Sequence, residues 1–393
     1  MDLSDSPSEA AFRHEARTFL EQHVHEVPAD LSDESDEAES IPVRKKWQRT
    51  LFDNGWAAIT WPERHGGRGL GPVEQIIWNQ ECVRAKTPSS INIVGIGMAG
   101  PAIIEHGSDE QRDRYLSRIL SGEEIWCQLF SEPNAGSDLP ALATSAKRDG
   151  DEWVVNGQKV WSSAAHFADW GILLARTDSS VPKRKGITFF LVDMTTPGVT
   201  VRPLRQMNGK THFNEVFLDD VRIPDGNRVG EVGGGWGVAT TTLLHERMAV
   251  GGSMGVFNMD DLIGLANSRG DVSPHERDLL ARTYIYDRCL ELLNARVMSK
   301  LAHGEIPTAE GSIAKLALTR MLAAAANTAL SILGPRAIAE PGIWQNLFLI
   351  TPGIRVGGGT DDIQRNMIAE RVLGLPRDED ESRTLPFDQL RRN

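Results

Sequence analysis

The sequence is short of cysteine and offers no metal site. Cys82, Cys127 and Cys289 are the three cysteines among 393 residues, widely separated and without a CxxC pair. They read as buried apolar thiols in a reducing compartment, not as a disulfide framework. Ten histidines include no HxxxH or HExxH spacing, so no metal is expected. A basic excess is missing as well. With 42 Lys and Arg against 54 Asp and Glu, the formal charge is −12, which argues against a sequence-independent nucleic-acid binder or a polybasic membrane anchor. No long hydrophobic run is uninterrupted: "AKLALTRMLAAAANTALSILG" carries Lys315 and Arg320 and reads as a buried helix, not a membrane span. The opening "MDLSDSPSEAAFRHEARTFLEQ" lacks the apolar core of a signal peptide, and "QLRRN" carries no prenylation or peroxisomal signal. A cytoplasmic protein is expected, without repeats or low-complexity tracts.

What is present is an ordinary globular composition, 40% hydrophobic and 24% charged, in a chain long enough for two or three domains. To about residue 124 the pattern is helical. Ser108 stands as an N-cap before "DEQRDRYLSRILSG", with Glu110 in the first turn. From 125 to 234 the period changes to two. "EWVVNGQKVWSS" suggests two short strands turning at Asn156-Gly157, and "KGITFFLVD", "GVTVRPLRQM" and "HFNEVFLDDVRIP" continue a compact sheet or barrel. After "GEVGGGWG" long apolar-periodic segments at 237–267, 275–303, 308–333 and 361–374 read as an antiparallel bundle. The expected domains are therefore 1–124, 125–234 and 235–393, with ligand clefts between layers.

Two glycine-rich stretches resemble nucleotide loops without their context. "GIGMAG" spells G-x-G-x-x-G, but its flanks are helical and Pro101 follows at once. Close helix packing is the better reading. "GEVGGGWG" lacks the Lys-Ser/Thr ending of a P-loop and serves to start the next helix. That helix contains "TTTLLHERMAVGG", in which Glu246 and Arg247 interrupt a run of apolar residues. Charges are seldom buried unpaired. The pair could be a surface face, a structural ion pair, or a carboxylate held out of water for chemistry.

Three ordered motifs decide between these. "LFSEPNAGSDLPAL" (129–142) is a turn-rich loop before the β region. "GQKVWSSAAHFADW" places Trp161 and Ser163 at a strand end. "GGGTDDIQRNMIAERVLGLP" (357–376) opens the last helix. Together with "GDEWVVNGQKVW" and "NEVFLDDVRIP" they resemble the acyl-CoA dehydrogenase family over essentially the whole chain. The corresponding family patterns are a TEPGAGSD loop, a K-x-W-I-T strand and an EGT-x-x-I-Q-R helix start. The resemblance implies an N-terminal α-helical domain, a middle β-barrel and a C-terminal four-helix bundle, with FAD between barrel and bundle. By position, Leu129, Phe130 and Ser131 face the flavin ring, Gly136 and Ser137 line the flavin and CoA passage, and Trp161 and Ser163 contact the isoalloxazine. Thr360 and Asp362 hold the nucleotide half.

The implied reaction removes the α-proton of an acyl-CoA to a carboxylate and the β-hydrogen as hydride to flavin N5. The product is the trans-2-enoyl-CoA, and the family stabilises the enolate-like oxygen with the ribityl hydroxyl and a backbone N–H. In much of the family the base is the Glu of EGT. Here that position is Gly358, on the substrate side but unable to accept a proton. A second branch, resembling isovaleryl-CoA dehydrogenase, carries the base on the first bundle helix as a Glu directly before an Arg. Glu246-Arg247 fits that pattern, with Arg247 supporting the substrate pocket and His245 packing. The family's R-x-x-F-G contact to a neighbour's FAD is absent, leaving Arg269 or Arg277 as substitutes, and its G-G-x-G loop reads "ILGPRAIAEPG". These departures resemble actinobacterial steroid side-chain dehydrogenases, some of them heteromeric. A homotetramer or heteromer is expected, with an electron-transferring flavoprotein as acceptor. The competing readings are a non-catalytic partner subunit and a flavin oxidase or monooxygenase on the same fold.

Overall fold

Helix α5 (Asp109–Ser121) begins where its residues require. Ser108 Oγ accepts from Gln111 N–H at 3.2 Å, while the Gln111 side chain accepts from Ser108 N–H at 3.1 Å, so two otherwise orphaned donors are satisfied. The same Gln111 donates to the Gly226 and Arg228 carbonyls and ties the helical layer to the sheet that follows. The structure, a computed structural model, describes residues 5–26, 37–253, 257–302, 310–377 and 381–390. It contains two compact units, Ala11–Ala249 with Glu379–Asn393, and Met1–Ala10 with Val250–Asp378.

In the first unit, α1 (Pro7–His23), α2 (Glu37–Asp53) and α3 (Pro72–Ala85) close over Phe12, Phe19, Trp47, Trp56 and Trp78. Of the acidic stretch "PADLSDESDEAES", only Glu37–Ser40 are described, as the start of α2. "GIGMAG" is helical: a π turn over Gly95–Ala99 runs into α4 (Gly100–His106). A Cβ on Gly100 would stand 1.9 Å from the Trp61 ring, so this glycine permits close packing.

Eight strands follow: β1 (Trp126–Leu129), β2 (Ser145–Asp149), β3 (Glu152–Lys159), β4 (Trp170–Arg176), β5 (Ile187–Asp193), β6 (Val199–Leu204), β7 (Phe213–Pro224) and β8 (Arg228–Val229). Their order is β6-β7-β3-β2-β4-β5-β8, with β1 pairing parallel to β4. The expected hairpin at Asn156-Gly157 is not there. β3 runs straight through both residues, and β2 turns into it at Gly150 and Asp151. Asn156-Gly157 instead marks a register shift against β7. A Cβ on Gly157 would come within 2.3 Å of Thr144 Oγ1. The glycine therefore serves a bulge and a close approach, the other use of glycine in a strand.

Helix α6 (Gly235–Ser253) leaves the sheet from the "GEVGGGWG" turn. The single segment expected over 237–267 is two helices, since Asn258 caps a new one, α7 (Met259–Arg269), by accepting from Asp260 N–H at 2.9 Å. The second unit holds α7, α8 (Pro274–Ala302), α9 (Glu310–Leu333), α10 (Arg336–Ala339), α11 (Ile343–Ile354) and α12 (Asp361–Arg371). α11, which the sequence reading did not separate, packs with α8, α12 and α7 around α9. Among the described residues α9 is the one helix long and apolar enough to cross a membrane. Its Met321, Leu322, Ala325 and Ala329 lie in the core of this unit with Leu262 and Leu347. The cysteines are less uniform than expected. Cys127 is buried, Cys82 half-buried and Cys289 exposed on α8, because α8 turns that position outward.

Candidate functional site

The loop from Leu129 to Leu142 is held from beneath by a buried charge pair. Lys159, at the end of β3 and 0% exposed, donates to Glu132 Oε1 at 2.8 Å and to the Phe130 carbonyl at 3.0 Å. Glu132 also accepts from the N–H groups of Ala143 (2.7 Å) and Thr144 (2.9 Å). Burial alone would raise the Glu132 carboxyl, but Lys159 and these donors hold it below the usual carboxylate range. A second buried cation, Arg176 of β4, donates to the carbonyls of Pro140, Leu142 and Lys183 and lies 3.5 Å from the centroid of the Phe387 ring. Burial brings its guanidinium down to about 10. The chain thus uses two interior cations to fix one loop backbone. Neither was read from the sequence, although the alternation of β3 points Lys159 inward with Trp153 and Val155, a position that demands a partner.

Val160 N–H donates to the Ser131 carbonyl at 2.9 Å, so the loop and the Trp161 turn lie side by side. Leu129 and Phe130 are buried, Ser131 and Ser163 half-buried, and Gly136 and Ser137 exposed. Trp161 lies two residues past the end of β3. It has φ 62°, as does Ala164, and left-handed backbone at non-glycine residues is costly and collects at functional sites. The Trp161 side chain is 60% exposed, with Phe213 set edge-on at 5.8 Å.

On α6, Val238, Ala239 and Thr242 are buried, and Glu246 continues that stripe at i+4 from Thr242. Leu244, on another face, is exposed, so the helix is half-buried rather than enclosed. Glu246 itself is half-buried, and its Oε2 accepts from Gln128 Nε2 of β1 at 3.3 Å. Thr241 Oγ1 meets His106 Nε2 at 2.8 Å, fixing α6 to α4. Burial lowers the half-buried His245 below an ordinary imidazole, in keeping with a packing residue. The Arg247 side chain lies outside the described residues.

Gly358, Thr360 and Asp362 belong to the second unit. Gly358 has φ 64°. Thr360 Oγ1 caps α12 by accepting from Ile363 N–H at 3.1 Å. Asp362 is exposed and bonds Arg365 at 2.6 Å. Its neighbour Asp361 is the buried carboxylate, bonded to Thr319 and Arg355. Of the two candidate arginines, Arg269 is committed to Glu276 and to the Ile332 carbonyl. Arg277 bonds only the Val272 carbonyl, at 3.2 Å, among the described residues. Those residues include no cluster of His, Cys, Asp or Glu able to hold a metal.

Residues 6–123, 127–221 and 233–373 match the N-terminal, middle and C-terminal domain families of acyl-CoA dehydrogenase. Acyl-CoA dehydrogenase FadE34 of Mycobacterium tuberculosis is 43% identical over 343 residues, 87% of this chain; the chain spans about half, 47%, of that relative's length. Acyl-CoA dehydrogenase IpdE1 of the same organism is 37% identical over 350 residues, 87% of this chain and 90% of IpdE1. The solved structure of the Tcur3481-Tcur3483 steroid ACAD superposes with a TM-score of 0.83 at 30% identity, covering 96% of this chain and all of that one. The chain belongs to the acyl-CoA dehydrogenase family, FAD-dependent oxidoreductases acting on CH–CH groups, and has the mixed helical and β fold of that family.

Proposed function

We propose that this protein converts an acyl-CoA thioester to its trans-2-enoyl-CoA, with Glu246 as the acceptor of the α-proton. The observation that carries this reading is the Glu246 carboxylate. It sits on the buried stripe of α6, within hydrogen-bond reach of the strand that runs directly into the Leu129–Ser137 loop. Gly358 offers no carboxylate at the family's other base position, so the role falls to α6.

Trp161 tests whether the chain fits FAD. A large aromatic side chain held outward on left-handed backbone gains little from packing within its own chain, and its open face suits a planar ring. Beside it, the half-buried Ser131 and Ser163 hydroxyls supply polar contacts. The residues therefore fit the cofactor. FAD, when bound, supplies the ring that takes up the β-hydrogen as hydride. Leu129, Phe130 and Ser131 with Trp161 and Ser163 hold that ring, Gly136 and Ser137 leave room for the CoA passage, and Thr360 and Asp362 serve the nucleotide half. Glu246 takes the proton at a carboxylate oxygen, on the opposite face of the substrate. Arg247 and Gly358 border the substrate. The three parts are 1–124, 125–234 and 235–393.

Titrating the purified, FAD-loaded protein anaerobically with butyryl-, octanoyl-, palmitoyl-, isovaleryl- and a steroid side-chain acyl-CoA should bleach the flavin with one chain class. Similarity to the Tcur3481-Tcur3483 steroid ACAD makes the last of these the favoured substrate. A yellow protein that no member bleaches would overturn the reading. The natural electron acceptor would be an electron-transferring flavoprotein, and reduced flavin should reoxidise slowly in air, unlike an oxidase or monooxygenase. A cytoplasmic location accords with this partner.

A second reading has a specific basis. With Arg269 engaged inside its own unit and Gly358 in place of a carboxylate, the chain could complete a related subunit's FAD site without turning over substrate itself. On either reading it assembles. Tyr284, Ile285 and Leu292 of α8 and Ile343 and Phe348 of α11 remain exposed, as bundle faces awaiting a homotetramer or a heteromeric partner do. Light scattering of the FAD-loaded protein should give a multiple of the chain mass; a stable FAD-loaded monomer would refute assembly.

A further inference from the structure

We infer that Gln128 is a positioning residue for the proton-accepting carboxylate, an inference that rests on the reading of Glu246 as the base. β1 alternates. Cys127 and Leu129 enter the core of the sheet, whereas Trp126 points to the other face, against Tyr115 and Trp170. Gln128 shares that second face and stands opposite Ile172 in the β4 register. Gln128 is half-buried there, and an amide drawn even partly out of water favours a hydrogen-bond partner. Among the described residues it makes one side-chain hydrogen bond, from Nε2 to Glu246 Oε2 at 3.3 Å.

The donor does two things for a base. It holds one carboxylate oxygen and so restrains the rotation of the group. It also favours the charged form, so the group is ready to accept a proton near neutral pH. A separation of 3.3 Å is long for such a bond and leaves room for it to shorten when substrate displaces water. Gln128 precedes the Leu129–Ser137 loop by a single residue.

The test compares Gln128→Met, Gln128→Glu and Glu246→Gln in the FAD-loaded protein. The probe is whichever acyl-CoA of the panel bleaches the flavin fastest, mixed anaerobically across the neutral pH range. Gln128→Met should slow flavin reduction about 10- to 100-fold, as expected for losing a hydrogen bond to a charged group, with the apparent substrate affinity changed less than about threefold. The acid side of its pH profile should move up by about one unit. Gln128→Glu should move it further, by like-charge repulsion. A readout independent of turnover is the carbon-13 carboxyl signal of Glu246, identified by its absence in Glu246→Gln, which should titrate at higher pH in Gln128→Met. If Glu246→Gln is silent while both Gln128 variants keep the wild-type rate and profile, the role of Gln128 is refuted and the base assignment stands. If Glu246→Gln is reduced normally, the base assignment fails and takes this inference with it. Should Gln128→Met lose its FAD, the profile of Gln128→Glu decides: an unmoved acid limb overturns the proposal.

Discussion

Glu246→Gln retains its flavin and is no longer reduced by acyl-CoA, with the reduction rate falling by about a thousandfold; this is the largest effect expected of a single substitution. Removal of a general base costs roughly 10²–10⁴ in rate, and the amide is nearly isosteric with the carboxylate. The packing of α6 through Val238, Ala239 and Thr242 is untouched, as is the Thr241–His106 contact. Gln128 keeps a carbonyl oxygen to donate to. The loss should therefore fall on the chemical step, with bound flavin and acyl-CoA affinity preserved. Anaerobic rapid mixing measures it directly, and a reduction rate within tenfold of wild type would remove Glu246 from the mechanism.

Lys159→Met destabilises the first unit by about 3–5 kcal/mol, because it strands the Glu132 carboxylate in the interior. For a unit of this size that lowers the melting temperature by roughly 10 °C. Flavin retention should fall with it, since the Phe130 carbonyl and the loop below Trp161 lose their anchor. The pH dependence separates this cause from a simple packing defect. In the wild type the folded Glu132 carboxyl titrates below its unfolded value of about 4.3. Its contribution is present above that value and is lost as the pH falls through the folded one. In the variant the unpaired carboxyl is raised instead, so the damage grows with rising pH and shrinks toward about pH 5. Adding Glu132→Gln should recover much of the loss, and a double-mutant cycle by denaturant unfolding gives the coupling. A single-variant cost below about 1 kcal/mol would refute the role of the pair.

The helical, strand and helical succession was legible because each region carries its own period. So were the Ser108 cap and the start of α6, which depend on residues a few positions apart. The Asn156-Gly157 turn was misread because the local signal for a hairpin is also compatible with a bulge. Only the β7 partner and the approach of Thr144 distinguish them. The break before α7 turns on the single cap at Asn258. Within the candidate site, the motif residues could be named from sequence. The pairs that hold them could not: Lys159 with Glu132, Gln128 with Glu246 and Arg176 with three carbonyls lie 27, 118 and 7 to 36 positions apart. No short-range rule reaches across such distances.

Helix α6 is rooted in the sheet at Gly235 and presents Glu246 eleven residues later, about three turns and 16 Å along its axis. The direction of the carboxylate is therefore an angle counted out by the residues between, each contributing about 100°. Substitutions at solvent-facing positions such as Thr240 or Leu244 leave that angle alone. One residue inserted between Gly237 and His245 would swing the carboxylate by more than a quarter turn, away from β1, with every side chain of the site still in the sequence. The candidate site therefore tolerates a change of outward-facing residues on α6 better than a change in the length of the helix.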